Sequence, residues 1–136
     1  MQDEFEKVFG NKKNILVVLG HPDDLEVYAG GTIARLITEG KEVRSVKVTM
    51  GDKGSQQQKI SQQELSSIRL KEDSASMKSL GIINENNVYL RFEDGTVENT
   101  LPVIGAIAEQ IRTFKPDIIT THNPDDTIIR FAKDIN

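Results

Sequence analysis

Two hydrophobic periods alternate along this chain. Ile15-Leu16-Val17-Val18-Leu19-Gly20 is a continuous apolar run that closes in glycine, and a β-branched run of that length reads as a buried strand. Val27, Ala29, Ile33, Leu36 and Ile37 then recur at helical spacing, with Gly40 placed to close the helix. Residues 43–50, carrying Val43, Val46 and Val48, predict a second strand. Ser61-Gln62-Gln63-Glu64 has the form of a capping box, and the helix it opens runs to Leu80-Gly81 with Leu65, Ile68, Ala75 and Leu80 as its apolar side. A turn at 84–87 leads into a third strand over 88–92. Val103, Ile104, Ile107, Ile111 and Phe114 make the cleanest 3.6-residue stripe, and Pro116-Asp117 ends it before a fourth strand at 118–121. Regular alternation of strand and helix predicts an α/β fold, a mostly parallel sheet with helices on both faces.

Smaller expectations follow from the same pattern. Phe5, Val8 and Phe9 suit a short, loosely ordered docking helix ending at Gly10-Asn11. Gly30-Gly31 inside a helix costs about 1 kcal/mol per residue, so close packing or a ligand's approach is expected there. Asn123-Pro124-Asp125-Asp126 reads as a turn and cap for a helix over 127–134.

Composition narrows the function. The 136 residues form one domain, long enough to bury a real core. With 17 Lys+Arg against 21 Asp+Glu the formal charge is -4, and no basic stripe tracks a phosphate backbone, so nucleic acid is not the expected partner. There is no cysteine, so any metal must be held by His, Asp or Glu, and a reducing, cytoplasmic location is expected. The longest apolar run falls far short of the roughly 20 residues a membrane span needs, and no signal-like segment opens the chain. No strand is followed by a Gly-x-Gly-x-x-Gly or phosphate-loop pattern.

The chemistry concentrates at His21-Pro22-Asp23-Asp24, directly after the first strand, where open α/β sheets bind their ligands. One imidazole and two carboxylates supply a nitrogen ligand, an oxygen ligand and a spare base, the set a catalytic zinc with an open water position requires. The plainer alternative is that Asp23 and Asp24 cap a helix, Pro22 stiffens the turn and His21 is merely polar.

Gly20-His21-Pro22-Asp23-Asp24-Leu25-Glu26, followed by Gly30-Gly31-Thr32, resembles the opening of the PIG-L (LmbE-like) family of zinc-dependent de-N-acetylases. The resemblance implies His21 and Asp24 as zinc ligands and Asp23 as general base, which partial burial would suit to work near neutral pH. It extends along the chain. Thr49-Met50-Gly51-Asp52-Lys53-Gly54 resembles a family loop that has Glu where Asp52 stands. Arg69 and Glu72 reproduce an Arg-x-x-Glu spacing, Phe92-Glu93-Asp94-Gly95 an aromatic-Pro-Asp-Gly turn, and Thr121-His122-Asn123-Pro124 a Thr-His-x-Pro. Arg69, Asp52, Asp94 and His122 are thereby implied as substrate-binding residues opening onto one crevice. As bare sequence, Arg69/Glu72 is an ordinary solvated helix pair and Asp94 an ordinary turn residue.

The resemblance implies a Rossmann-like sheet and a metal-dependent hydrolase acting on an N-acetylglucosamine-type sugar or conjugate. Its third zinc ligand comes from a later His motif, whereas this chain has only His21 and His122. Residues 1–136 are therefore expected to be the amino-terminal part of a family domain, incomplete at its carboxyl end. Such a piece should bind its one Zn2+ weakly or not at all, show little turnover and self-associate through an uncovered surface. A catalytically silent α/β fragment or binding module is the alternative.

Overall fold

The computed structural model describes residues 3–54 and 59–125. In chain order they form α1 (Glu4–Phe9), β1 (Asn14–Leu19), α2 (Asp24–Thr38), β2 (Glu42–Thr49), α3 (Gln62–Leu80), a 3-10 turn (Asn84–Asn86), β3 (Asn87–Phe92), α4 (Leu101–Phe114) and β4 (Ile118–Thr121). The strands pair in the order β3-β2-β1-β4, all parallel, with Ile15 opposite Val43 on one side and Ile118 on the other. The expected α/β architecture is present. The helix expected over 127–134 lies outside the described residues.

Burial on both sides makes β1 the centre of the molecule. Ile15, Val17 and Leu19 face a cluster with Leu25, Ile33 and Leu36 of α2 and Met77 of α3, while Leu16 and Val18 face Val46 and, from α4, Phe114, Ile107 and Ile111. The period of two along a strand sends alternate side chains to opposite faces, which is why one continuous apolar run serves two helix layers. At the far edge Asp117 accepts hydrogen bonds from the backbone N–H groups of Lys13 and Asn14 at 2.7 and 3.0 Å, pinning the start of β4 beside the start of β1.

The amino-terminal helix docks as expected, with more ties than loose order implies: Phe5 and Phe9 pack on the core, Arg35 lies 3.8 Å from the Phe5 ring centroid, and Lys41 Nζ caps the carbonyls of Phe9 and Lys12. The capping box and the left-handed Gly81 bound α3 as expected, but its buried side is Asp73 and Met77, with Ile68 and Ala75 exposed. Asp73 is tolerated inside because Lys47, Asn87 and Tyr89 meet it there. Gly30 and Gly31 have open surroundings, since a Cβ at either would meet nothing within 4 Å among the described residues.

Candidate active site

The strand order reverses at β1, whose connections run to β2 on one side while β4 returns on the other. In open α/β sheets such a switch point opens a crevice at the carboxyl ends of the strands. Loops after β1, β3 and β4 bring His21, Asp94 and His122 to a cavity of about 470 Å³ there, with Val18, Val48 and Ile107 as apolar lining. Thr49 ties the neighbouring loop down, its N–H and hydroxyl both donating to Gly20 O at 2.9 and 3.1 Å.

One carboxylate oxygen is the focus of the polar groups. Asp24 Oδ2 accepts from the His21 backbone N–H at 2.9 Å and lies 3.5 Å from His21 Nδ1 and 3.4 Å from His122 Nε2. The other nitrogen of His21, Nε2, is 2.9 Å from Asp94 Oδ1, and Asp94 Oδ2 accepts from Lys53 N–H at 3.1 Å. The Asp24 hydrogen bond raises the His21 pKa, burial opposes it and Asp94 adds to the rise, pushing it up to about 9. Burial pushes Asp24 up, but hydrogen bonds from the His21 side chain and backbone outweigh it and hold this carboxyl below its ordinary value. His122 Nε2 also accepts from Gly20 N–H at 3.0 Å.

Getting Asp94 into this position takes a distortion of β3. The β2–β3 register shifts between Lys47 and Thr49, and Arg91 opposite has φ 61, the signature of a bulge that re-aims the chain beside a site. Gly95 at φ 78 then closes the Asp-Gly turn. Both oxygens of Asp94 are engaged by protein groups, so it orients His21 instead of standing free for a sugar hydroxyl.

Asp23 and Arg69 sit apart from that cavity. Asp23 heads α2 with φ 84 and makes no capping hydrogen bond; its Oδ2 accepts from Arg69 Nη1 at 3.1 Å across a separation of 46 positions. Its side chain is 64% exposed, so the partial burial expected of a base is absent among the described residues. The turn after β2 lies along Arg69, where a Cβ on Gly51, itself at φ 63, would come 3.5 Å from the guanidinium. Asp52 is half-buried in that turn, lines neither cavity and makes no side-chain hydrogen bond among the described residues. The single crevice expected for Arg69, Asp52, Asp94 and His122 is thus divided, with only Asp94 and His122 beside His21.

The buried Lys47–Asp73 pair, with Asn87 and Tyr89, was missed from sequence. Its one signal is the inward register of Ser45, Lys47 and Thr49, a polar row on the same face as Val43.

His21 Nδ1 and Asp24 Oδ2 fit a zinc ion in kind and in spacing. Bonds of 2.0–2.1 Å at tetrahedral angles put two ligand atoms roughly 3.3 Å apart, and these two are 3.5 Å apart. His122 Nε2 has its lone pair engaged by Gly20, and among the described residues no three His, Cys, Asp or Glu side chains form a ready metal cluster.

A family model described as PIG-L, GlcNAc-PI de-N-acetylase, matches residues 16–133. The diacetylchitobiose deacetylase of Thermococcus kodakarensis is 32% identical over 116 residues, covering 85% of this chain and 43% of that protein. The 1D-myo-inositol 2-acetamido-2-deoxy-alpha-D-glucopyranoside deacetylase of Mycobacteroides abscessus is 27% identical over 136 residues, covering 82% and 48%. The solved N,N'-diacetylchitobiose deacetylase of Pyrococcus horikoshii superposes with a TM-score of 0.82 at 28% identity, over 91% of this chain and 47% of that one. The chain spans about half the length of the relatives it matches.

Proposed function

Because the chain belongs to the PIG-L (GlcNAc-PI de-N-acetylase) family, we propose that it carries part of the active site of a hydrolase that removes the acetyl group from an N-acetylglucosamine-type sugar or conjugate. Water adds to the amide carbonyl, the C–N bond breaks, and acetate and a free amine leave. The carrying observation is the pairing of His21 and Asp24 at the switch point with Asp94 fixing the far nitrogen of the imidazole. A carboxylate behind a ligating histidine sets its tautomer and raises its basicity.

His21 and Asp24 would hold a single zinc ion. Zinc, when bound there, supplies a Lewis acid and lowers the pKa of water toward 7. His21 must first give up the proton that Asp24 and Asp94 stabilise, so metal uptake releases a proton. Asp23 takes the proton from the attacking water and delivers it to the leaving nitrogen; Arg69 grips one of its oxygens and leaves the other for that transfer. His122, beside His21, bounds the space where the sugar lies, and Arg69 acts through Asp23. The cysteine-free composition suits a cytoplasmic enzyme.

A silent α/β domain remains the second reading, favoured by the lack of a three-ligand cluster among the described residues. Elemental analysis of protein purified without chelator separates the two. We expect zinc and acetate release from an N-acetylglucosamine conjugate in the whole protein, with zinc lost in its His21→Ala and Asp24→Ala variants. Zinc equal in Asp24→Ala and the unmodified whole protein would refute the site.

A further inference from the structure

The helix that carries Asp24 gives Leu25, Ile33 and Leu36 to the core and leaves Tyr28 71% exposed. A single exposed apolar side chain is ordinary, so exposure alone assigns nothing. Position adds to it. Tyr28 stands four residues after Asp24 on the same face of α2, and helix side chains lean toward the amino terminus. Its ring therefore returns toward the sheet edge and meets the loop after β4, where its centroid is 6.1 Å from that of the His122 imidazole.

His122 is itself fixed at the site, with Nε2 taking the Gly20 N–H at 3.0 Å and lying 3.4 Å from Asp24 Oδ2. The planes of the two rings stand at 84°, an edge-to-face arrangement that aromatic quadrupoles favour. Whichever ring presents its edge, at least one face of the phenol stays uncovered. A rigid aromatic face, held against a site residue and open to solvent, is a contact surface that costs little conformational entropy to use.

We propose that Tyr28 is a substrate-binding residue whose open face stacks on a second ring joined to the sugar being deacetylated, so that the substrate is a glycoside with a sugar or cyclitol aglycone and not free N-acetylglucosamine. This rests on the deacetylase reading. In an N-acetylglucosamine unit the acetamide sits on C2 and the glycosidic oxygen on the adjacent C1, so an amide held at His21 and Asp24 keeps the linked ring close by. The C–H groups on one side of such a ring are apolar and weakly positive, which suits the negative π face of tyrosine. The contact lies away from the reacting amide and is equally good before and during reaction, so it acts on KM and leaves kcat.

The test compares acetate release from the disaccharide and the monosaccharide of N-acetylglucosamine by the whole protein and its Tyr28→Ala and Tyr28→Phe variants, with calorimetric binding of the disaccharide alongside. We expect KM for the disaccharide to rise about fivefold to tenfold in Tyr28→Ala with kcat little changed, and the preference over the monosaccharide to fall by the same factor. Tyr28→Phe keeps the ring and should keep the preference, with zinc content equal in all three proteins. A preference unchanged in Tyr28→Ala, a preference lost equally in Tyr28→Phe, or zinc lost from Tyr28→Ala would each overturn the proposal while the deacetylase reading stands. Weaker calorimetric binding by Tyr28→Ala with no acetate released from either sugar would uphold the stacking contact and refute the deacetylase reading instead.

Discussion

Lys47→Met removes an ammonium from the interior while keeping most of the side chain's volume. The side chains of Lys47 and Asp73 are 1% and 0% exposed at 3.1 Å, so no water screens the loss. Burial already holds the Lys47 pKa below its usual value despite Asp73, so the ion pair does not fully offset its own desolvation. Removing one partner of a buried pair typically costs about 3–5 kcal/mol, because the other charge stays behind. Asn87 and Tyr89 still donate to Asp73 and offset roughly 1 kcal/mol, which leaves an expected loss of about 2–4 kcal/mol. Against a stability of about 5–15 kcal/mol for a typical domain this is large. The double variant Lys47→Met/Asp73→Leu carries no buried charge and should recover more than half of the loss. Urea unfolding followed by circular dichroism, run as a double-mutant cycle, reads both quantities. A loss under about 1 kcal/mol for Lys47→Met, or losses that simply add in the double variant, would refute the reasoning.

Other outcomes follow from single residues. Asp23 at φ 84 pays for its backbone in any variant: Asp23→Ala should be about 1 kcal/mol less stable than Asp23→Gly or Asp23→Asn, with zinc content equal in all three. Equal stability of the alanine and glycine variants in urea would remove φ as the constraint. For the metal-free protein, His21 with its raised pKa contributes stability fully present below about pH 6.5 that fades as pH rises through 9. Asp24, with a lowered pKa, contributes above about pH 3.9 and loses it in more acid solution. Tm in chelator should therefore plateau between about pH 4 and 6.5, and His21→Gln should flatten the alkaline limb. The imidazole is 46% exposed, so solvent screening reduces its share to roughly 1 kcal/mol, and an unchanged limb in His21→Gln would count against the cause. Gly31→Ala should stabilise α2 by about 0.5–1 kcal/mol, since a Cβ there meets nothing within 4 Å; a lower Tm would reveal packing against something beyond the described residues.

The strands, the helices and the alternation that makes the sheet parallel were legible because they are local: a β-branched run, a capping box and a 3.6-residue stripe need only their own neighbours. The position of His21 at a strand's carboxyl end was legible for the same reason, as strand and loop are adjacent in the chain. What tertiary structure decided is which distant groups share a space. Asp94 reaches His21 across 73 positions by way of a bulge in β3, and Arg69 takes hold of Asp23 instead of joining the cavity where it was expected. A hydrophobic-period scan passes over Asp73, because a buried carboxylate is tolerated only through Lys47, Asn87 and Tyr89, none of which is its neighbour in sequence. Hydrophobic burial is non-directional and shows as a pattern along the chain, whereas a hydrogen bond or ion pair needs two particular atoms at a particular distance, and only the folded backbone sets that distance.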